Sequence, residues 1–323
     1  MSMTIFNPEP RPLEIVCRDG VVLGGDLWTG IRKQRTGTVI INPATGVAAR
    51  YYRYYARFLA EHGFNVVTYD YRGIGRSRPD KLRGCGYCWR DWGELDFDAV
   101  LRFAKTHDPG GSIFVVGHSF GGVIPGLSEN APVIRRMVTV GAQYAYWRDY
   151  APAHRARLFL KWHVVMPAAT ALFGYFPGEL LGWLEDLPAG VANEWSFQRA
   201  RMETNLAVET RKDVIERFAA TSASILAIVV SDDEIGTIPA IRRTLEYYTG
   251  ATRIGVVLSP GDFGLASIGH FDLFHSRHAA GFWLDTLMWL REGRNPWPNK
   301  RFMGPDPEAD ESVRAGACGL PMS

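Results

Sequence analysis

Short apolar runs exchange along the chain with longer stretches of helical period, which predicts strands alternating with helices. Leu13 to Cys17 and Val21 to Trp28 flank Asp19-Gly20, a dipeptide suited to a tight turn, so an opening antiparallel pair is expected. Thr38 to Ile41 is a β-branched run. It leads through the loop Asn42 to Gly46 into a helix-like stretch that Gly63 ends after His62. Asn65 to Tyr69 reads as the next strand, and Asp91 with Glu94 is spaced as a capping box before the amphipathic run Leu95, Ala99, Val100, Phe103. Ile113 to Val116, Met137 to Val140, Ser224 to Val230 and Arg253 to Leu258 supply further strands. Such alternation implies an α/β fold, a mostly parallel sheet covered on both faces.

Two stretches break the rhythm. Tyr144 to Ala220 lacks strand patterning, is too long for a loop and reads as several helices, with Pro167 expected to kink or divide one of them. Between Tyr144 and Phe197, 12 of 54 residues are aromatic against 12% overall, which suggests that some of them line an apolar pocket. After Arg291 the chain turns rich in Gly, Pro and charge. The expected division is therefore a core in two parts, 1–143 and 221–293, a helical insertion at 144–220, and a tail at 294–323 that is partly extended or disordered.

Composition narrows the function classes. With 46% hydrophobic residues, 22% charged residues and a formal charge of +2, the chain is that of an ordinary globular protein. No basic stripe suggests nucleic acid, and the cluster His154, Arg155, Arg157 is too short for a phosphate track. Lys161 and His163 interrupt the most apolar part of the insertion, so no membrane span is expected. Met1 to Leu13 carries three prolines and no apolar core, which leaves a cytoplasmic location as the default. Cys17, Cys85, Cys88 and Cys318 are too scattered for a disulfide framework. Cys85-Gly-Tyr-Cys88 has no second pair to complete a zinc site, and Gly73-x-Gly75 lacks the third glycine of a dinucleotide loop. Neither a metal nor a cofactor is expected. Oligomeric state leaves no mark in the sequence.

The chemistry concentrates at Gly117-His118-Ser119-Phe120-Gly121. An apolar strand runs into a glycine-bracketed serine and then an apolar segment, the strand, turn and helix of a nucleophile elbow. A serine needs a base to take its proton and a carboxylate to orient that base. Of the eight histidines, His270 sits in a loop after the last long predicted strand. Asp232 and Asp233 both follow Ser224 to Val230; adjacent residues point in different directions, so only one can orient His270. Asp233 is favoured, with Asp232 the alternative. His270, His275 and His278 could in principle form a metal cluster with Asp272, but a surface or core histidine is the common case. The oxyanion donors expected are the Phe120 amide and, since Pro43 has none, the amide of Ala44 or Thr45.

Taken with Asp70-x-Arg72-Gly73-x-Gly75-x-Ser77 and Ser267-Ile-Gly-His-Phe271, these residues resemble the α/β-hydrolase superfamily from about Leu13 to Arg291. Within it they are similar to a bacterial group of predicted hydrolases near the serine aminopeptidase and monoglyceride lipase branch. The resemblance implies an eight-stranded sheet with a helical cap inserted after the sixth strand. It also selects Asp233, because the acid in relatives commonly precedes an aliphatic residue by two positions, here Ile235. Asn42-Pro43 replaces the usual His-Gly of the oxyanion loop, and Pro125 falls inside the elbow helix. The expected activity is hydrolysis of an ester or thioester with an apolar portion through an acyl-enzyme, the expected partner being that small-molecule substrate. Acyl transfer on the same residues and a non-catalytic ligand-binding protein are the rival expectations.

Overall fold

A computed structural model describes residues 8–31 and 36–304. Eight strands come first in chain order: β1 (Arg11–Val16), β2 (Val22–Trp28), β3 (Thr38–Asn42), β4 (Asn65–Tyr69), β5 (Ile113–His118), β6 (Ile134–Val140), β7 (Tyr175–Phe176) and β8 (Leu187–Pro188). β9 (Ser224–Val230), β10 (Thr252–Leu258) and β11 (Arg301–Met303) follow. Nine of them form one sheet in the order β1-β2-β4-β3-β5-β6-β9-β10-β11, while β7 and β8 pair separately. From β4 to β10 the strands run parallel; the β1-β2 hairpin and β11 close the two edges antiparallel. The sheet therefore has nine strands where eight were expected. The ninth, Arg301–Met303, comes from the stretch expected to be a tail, and it pairs with β10, the sheet's other free edge. Residues 305–323 lie outside the described residues, as does Cys318.

The sequence pattern explains the layers. Along β3, Val39 and Ile41 face one side and Ile40 the other, and each set joins a different core. One face is covered by the helices Arg53–Glu61 and Phe282–Glu292, which bring Tyr55, Leu59, Phe282 and Leu287 against Val66, Val116 and Leu226. The opposite face is covered by Asp98–His107 and Ile238–Leu245, with Val100, Leu101 and Ile241 against Val115, Met137 and Ile225.

Three local expectations change. The helix before β5 begins earlier, at Trp89, with the Cys88 amide donating to Asp91 Oδ2 (2.9 Å), so Asp91 is a first-turn residue and not the cap. After the elbow there is no α-helix but two 3-10 turns, Ser119–Gly122 and Ile124–Leu127; Pro125 offers no N–H for an i to i−4 bond. The segment between β6 and β9 is mainly helical, as expected, but also holds the short β7-β8 pair. Its first long helical run, Arg155–Phe173, widens into a π-turn at Leu160–Val165 just ahead of Pro167.

The strand order reverses direction between β3 and β5, so the crevice above their C-terminal ends is where such sheets place ligands. An ion cluster centred on the buried Arg72–Asp96 pair fixes the nearby loop after β4. Arg72 Nε donates to Asp96 Oδ1 (2.7 Å) and Nη1 to Asp19 Oδ2 (2.7 Å), which ties the β1-β2 turn to that loop. Arg72→Met leaves Asp96 buried without its counter-charge, and urea unfolding should show a loss of about 3–5 kcal/mol.

Candidate active site

The serine stands where the sheet order reverses. Ser119 follows β5 directly and has φ +53, a left-handed conformation that side-chain-bearing residues seldom adopt. The turn closes because its neighbours have no side chains. A Cβ on Gly117 would lie 2.5 Å from Gly122 Cα, and one on Gly121 would collide with the Asn42 carbonyl oxygen. Asn42 secures the contact from the other side: its Nδ2 donates to the Gly121 carbonyl (3.1 Å) and its Oδ1 accepts from Tyr69 Oη (2.9 Å). A carboxamide thus supplies both a donor and an acceptor at the position where the resemblance leads one to expect histidine.

The two neighbouring aspartates have separate tasks. Asp233 Oδ2 lies 2.6 Å from His270 Nδ1, and its Oδ1 accepts the amides of Ile235 and Gly236 (both 2.8 Å). Burial acts to raise this carboxyl's pKa. The charge and hydrogen bond of His270 and the two amides outweigh it and hold the group below the usual carboxylate range. Asp232 instead binds the histidine loop, accepting from Ser267 Oγ (3.0 Å) and from the amides of Ile268 (2.9 Å) and Gly269 (3.0 Å). The geometry therefore pairs His270 with Asp233 and leaves Asp232 as the anchor of the loop. Gly141, at the end of β6, makes room for the pair, since a Cβ there would approach His270 and Asp233 to about 3 Å.

His118, the variable residue of the serine motif, links three loops. Its Nε2 is 2.8 Å from the His270 carbonyl oxygen and must donate, because a carbonyl only accepts. Nδ1 then accepts from Tyr52 Oη (2.7 Å), which itself accepts the Ala44 amide (2.9 Å). One direction of hydrogen bonding runs from the loop after β3, through Tyr52 and His118, to the histidine loop. The Ala44 amide, one of the two alternatives expected in that loop, is thus engaged by Tyr52. The Phe120 amide keeps its place beside Ser119.

Ser119, Ala44, Thr45, Asp233 and His270 line one cavity of about 310 Å³ together with Leu158, Trp162, Trp183 and Trp195 from the insertion. Trp89 packs beneath, stacked on Phe120 at 4.0 Å between ring centroids and donating to Thr45 Oγ1 (3.0 Å). Gln143 went unremarked in the sequence. It is buried, donates to Ser119 Oγ (3.4 Å) and accepts the amide of Ala145, another residue at positive φ. A lone carboxamide in a loop carries no spacing signal, so only the fold brings it to the serine.

The remaining histidines of that loop have separate partners. His278 and Arg277 hold Asp272, and His275 meets Tyr51 (3.3 Å). Among the described residues no group of three or more His, Cys, Asp or Glu is placed to hold a metal, and no helix is long and apolar enough to cross a membrane.

Known proteins share this architecture. The family model described as "Serine aminopeptidase, S33" matches residues 33–239. A Schizosaccharomyces pombe protein provisionally named monoglyceride lipase is 32% identical over 98 residues; the match spans 29% of this chain and 25% of that relative's length. Among solved structures, the Pyrococcus furiosus esterase Pf2001 is similar with a TM-score of 0.53 at 18% identity, covering 87% of this chain and 92% of its own. The α/β hydrolase GrgF from a Penicillium species reaches 0.57 at 15%, covering 89% and 99%. An esterase domain from Rhodothermus marinus reaches 0.52 at 16%, covering 88% and 98%. At these identities the structural likeness establishes the fold.

Burial in the link between the loops depresses the His118 pKa from 6.5 to about 3, helped by the nearby His270. Between those values the unfolded chain binds a proton at this position and the native protein does not, so acidification favours unfolding across that window. His118→Gln should remove about 2 kcal/mol of the stability lost between pH 7 and pH 5, read from urea unfolding of both proteins.

Proposed function

The chain belongs to the serine aminopeptidase S33 family of α/β-hydrolases, and from that membership we propose that it is a serine hydrolase acting on an ester or thioester with an apolar portion. The observation that carries the reading is the 2.6 Å His270–Asp233 pair on the same cavity as a serine held at positive φ. Ser119 Oγ attacks the carbonyl carbon while His270 Nε2 takes its proton, and Asp233 holds Nδ1–H and steadies the imidazolium. The tetrahedral oxyanion is met by the amides of Phe120 and Thr45. Collapse breaks the bond to the leaving alcohol or thiol, which departs with the proton from His270. A water then gives its proton to His270, adds to the acyl-enzyme, and frees the acid and Ser119.

In this reading the nine-stranded sheet and the helices that cover it form the hydrolase core, and residues 144–220 act as a cap whose Trp162, Trp183 and Trp195 supply the apolar wall of the cavity. The free thiols of Cys17, Cys85 and Cys88 support a reducing, cytoplasmic setting.

The test is release of free acid from a panel of esters and thioesters. Wild type should turn over at least one of them and Ser119→Ala none. Asp233→Asn should lower kcat roughly 10⁴-fold through loss of the oriented imidazole, and Asp232→Asn far less. Equal losses in the two aspartate variants would contradict the division of labour between them.

A further inference from the structure

Two cations of the insertion reach the cavity. Arg157 and Lys161 lie one turn apart in the run that begins at Arg155, and both line the space above Ser119. Three carboxylates line it as well, and each is already engaged. Asp232 holds the amides of the histidine loop, and Asp233 holds His270 with two amides. Glu234 is paired with Arg157 and lies 3.4 Å from His154.

Lys161 is in a different state. Its Nζ lies 4.3 Å from the ring centroid of Trp162 and 4.4 Å from that of Trp183, a position that attracts a cation to the ring faces but satisfies none of its three N–H donors with an oxygen. Among the described residues it has neither a carboxylate within ion-pair distance nor a hydrogen-bond acceptor. Partial burial and the neighbouring Arg157 draw its pKa below the ordinary lysine value, outweighing the attraction of Glu234, which lies beyond ion-pair distance and is paired with Arg157. The same wall holds two further unpartnered donors, the indole N–H groups of Trp162 and Trp195. Trp162 is 4% exposed, and its indole N–H is buried without a partner. A buried donor left unsatisfied costs free energy.

We propose that Lys161, with the Trp162 wall, recognises an anionic group on the substrate, so that the ester cleaved at Ser119 carries a carboxylate remote from the scissile carbonyl. The inference rests on the serine-hydrolase reading for the bond that breaks. The anion site itself stands on the cavity alone. It also accounts for the mixture lining that cavity: tryptophan faces for the methylene chain, an unpaired ammonium for its charged end. A cavity of about 310 Å³ is at the small end of ligand pockets, which suits a short dicarboxylate monoester.

The probes are monomethyl glutarate and dimethyl glutarate, the same ester with its second carboxyl charged or capped. Calorimetric titration of Ser119→Ala should show the monomethyl ester binding about tenfold more tightly, the worth of one charge-assisted hydrogen bond. Adding Lys161→Met should abolish that preference, Lys161→Arg should retain most of it, and Lys212→Met, on an exposed helix face, should leave it intact. In turnover by the otherwise wild-type enzyme, Lys161→Met should raise KM for the monomethyl ester about tenfold more than for the dimethyl ester. The proposal is overturned if the monomethyl ester binds no more tightly than the dimethyl ester, undetectable binding of both included, or if the preference survives Lys161→Met. Lysine-dependent binding without turnover would keep the anion site and count against the hydrolase reading; turnover without charge preference would do the reverse.

Discussion

Everything at the site depends on one steric constraint, the closure of the backbone at Ser119. A left-handed serine costs on the order of 1–3 kcal/mol, and it persists only where the surroundings over-determine it. Here they do so through contacts in which no side chain is possible. Gly117 meets the backbone of Gly122, and Gly121 meets the backbone of Asn42. The buried Asn42 carboxamide then locks the end of β3 to the elbow. Because β3 and β5 are neighbours, that lock also sets where the loop carrying Thr45 stands relative to the serine.

A second constraint follows from the first. The turn leaves His118 buried, where a charged imidazole would be costly, so the ring stays neutral and must find both a donor and an acceptor. Tyr52 and the His270 carbonyl supply them. The result joins elements far apart in the chain into one polar network beneath the cavity. Every member has its partner, the condition under which a buried network rigidifies a site instead of weakening it. Asp232 completes the arrangement by gripping the histidine loop through two amides and a hydroxyl, while Asp233 steadies the ring itself.

Much of this was legible in the sequence because it rests on local periodicity and on chain order. Asn65 to Tyr69 and Ser224 to Val230 are strands with the expected bounds, since apolar runs flanked by turn residues have few other uses in a large α/β protein. Serine, acid and histidine follow in the order that the fold demands. What stayed hidden depends on three-dimensional packing. Gln143 looks like any polar loop residue until β6 delivers it to Ser119. Lys161 looks like an interruption in an apolar helix until the rings of Trp162 and Trp183 are seen meeting edge to face against its ammonium. The Ala44 amide meets Tyr52 only once the helix after β3 folds back over its loop. Arg301–Met303 is too short to announce a strand, and it becomes one only because β10 has an open edge.

The central claim is that a strained serine at the end of β5 is the nucleophile. Peptide mass spectrometry after treatment with a fluorophosphonate tests it most directly, because the reagent reacts with an activated serine whatever the natural substrate. The account predicts a single adduct on the peptide containing Ser119 and none on the Ser119→Ala protein. An adduct elsewhere, or undiminished labelling of Ser119→Ala, would contradict it.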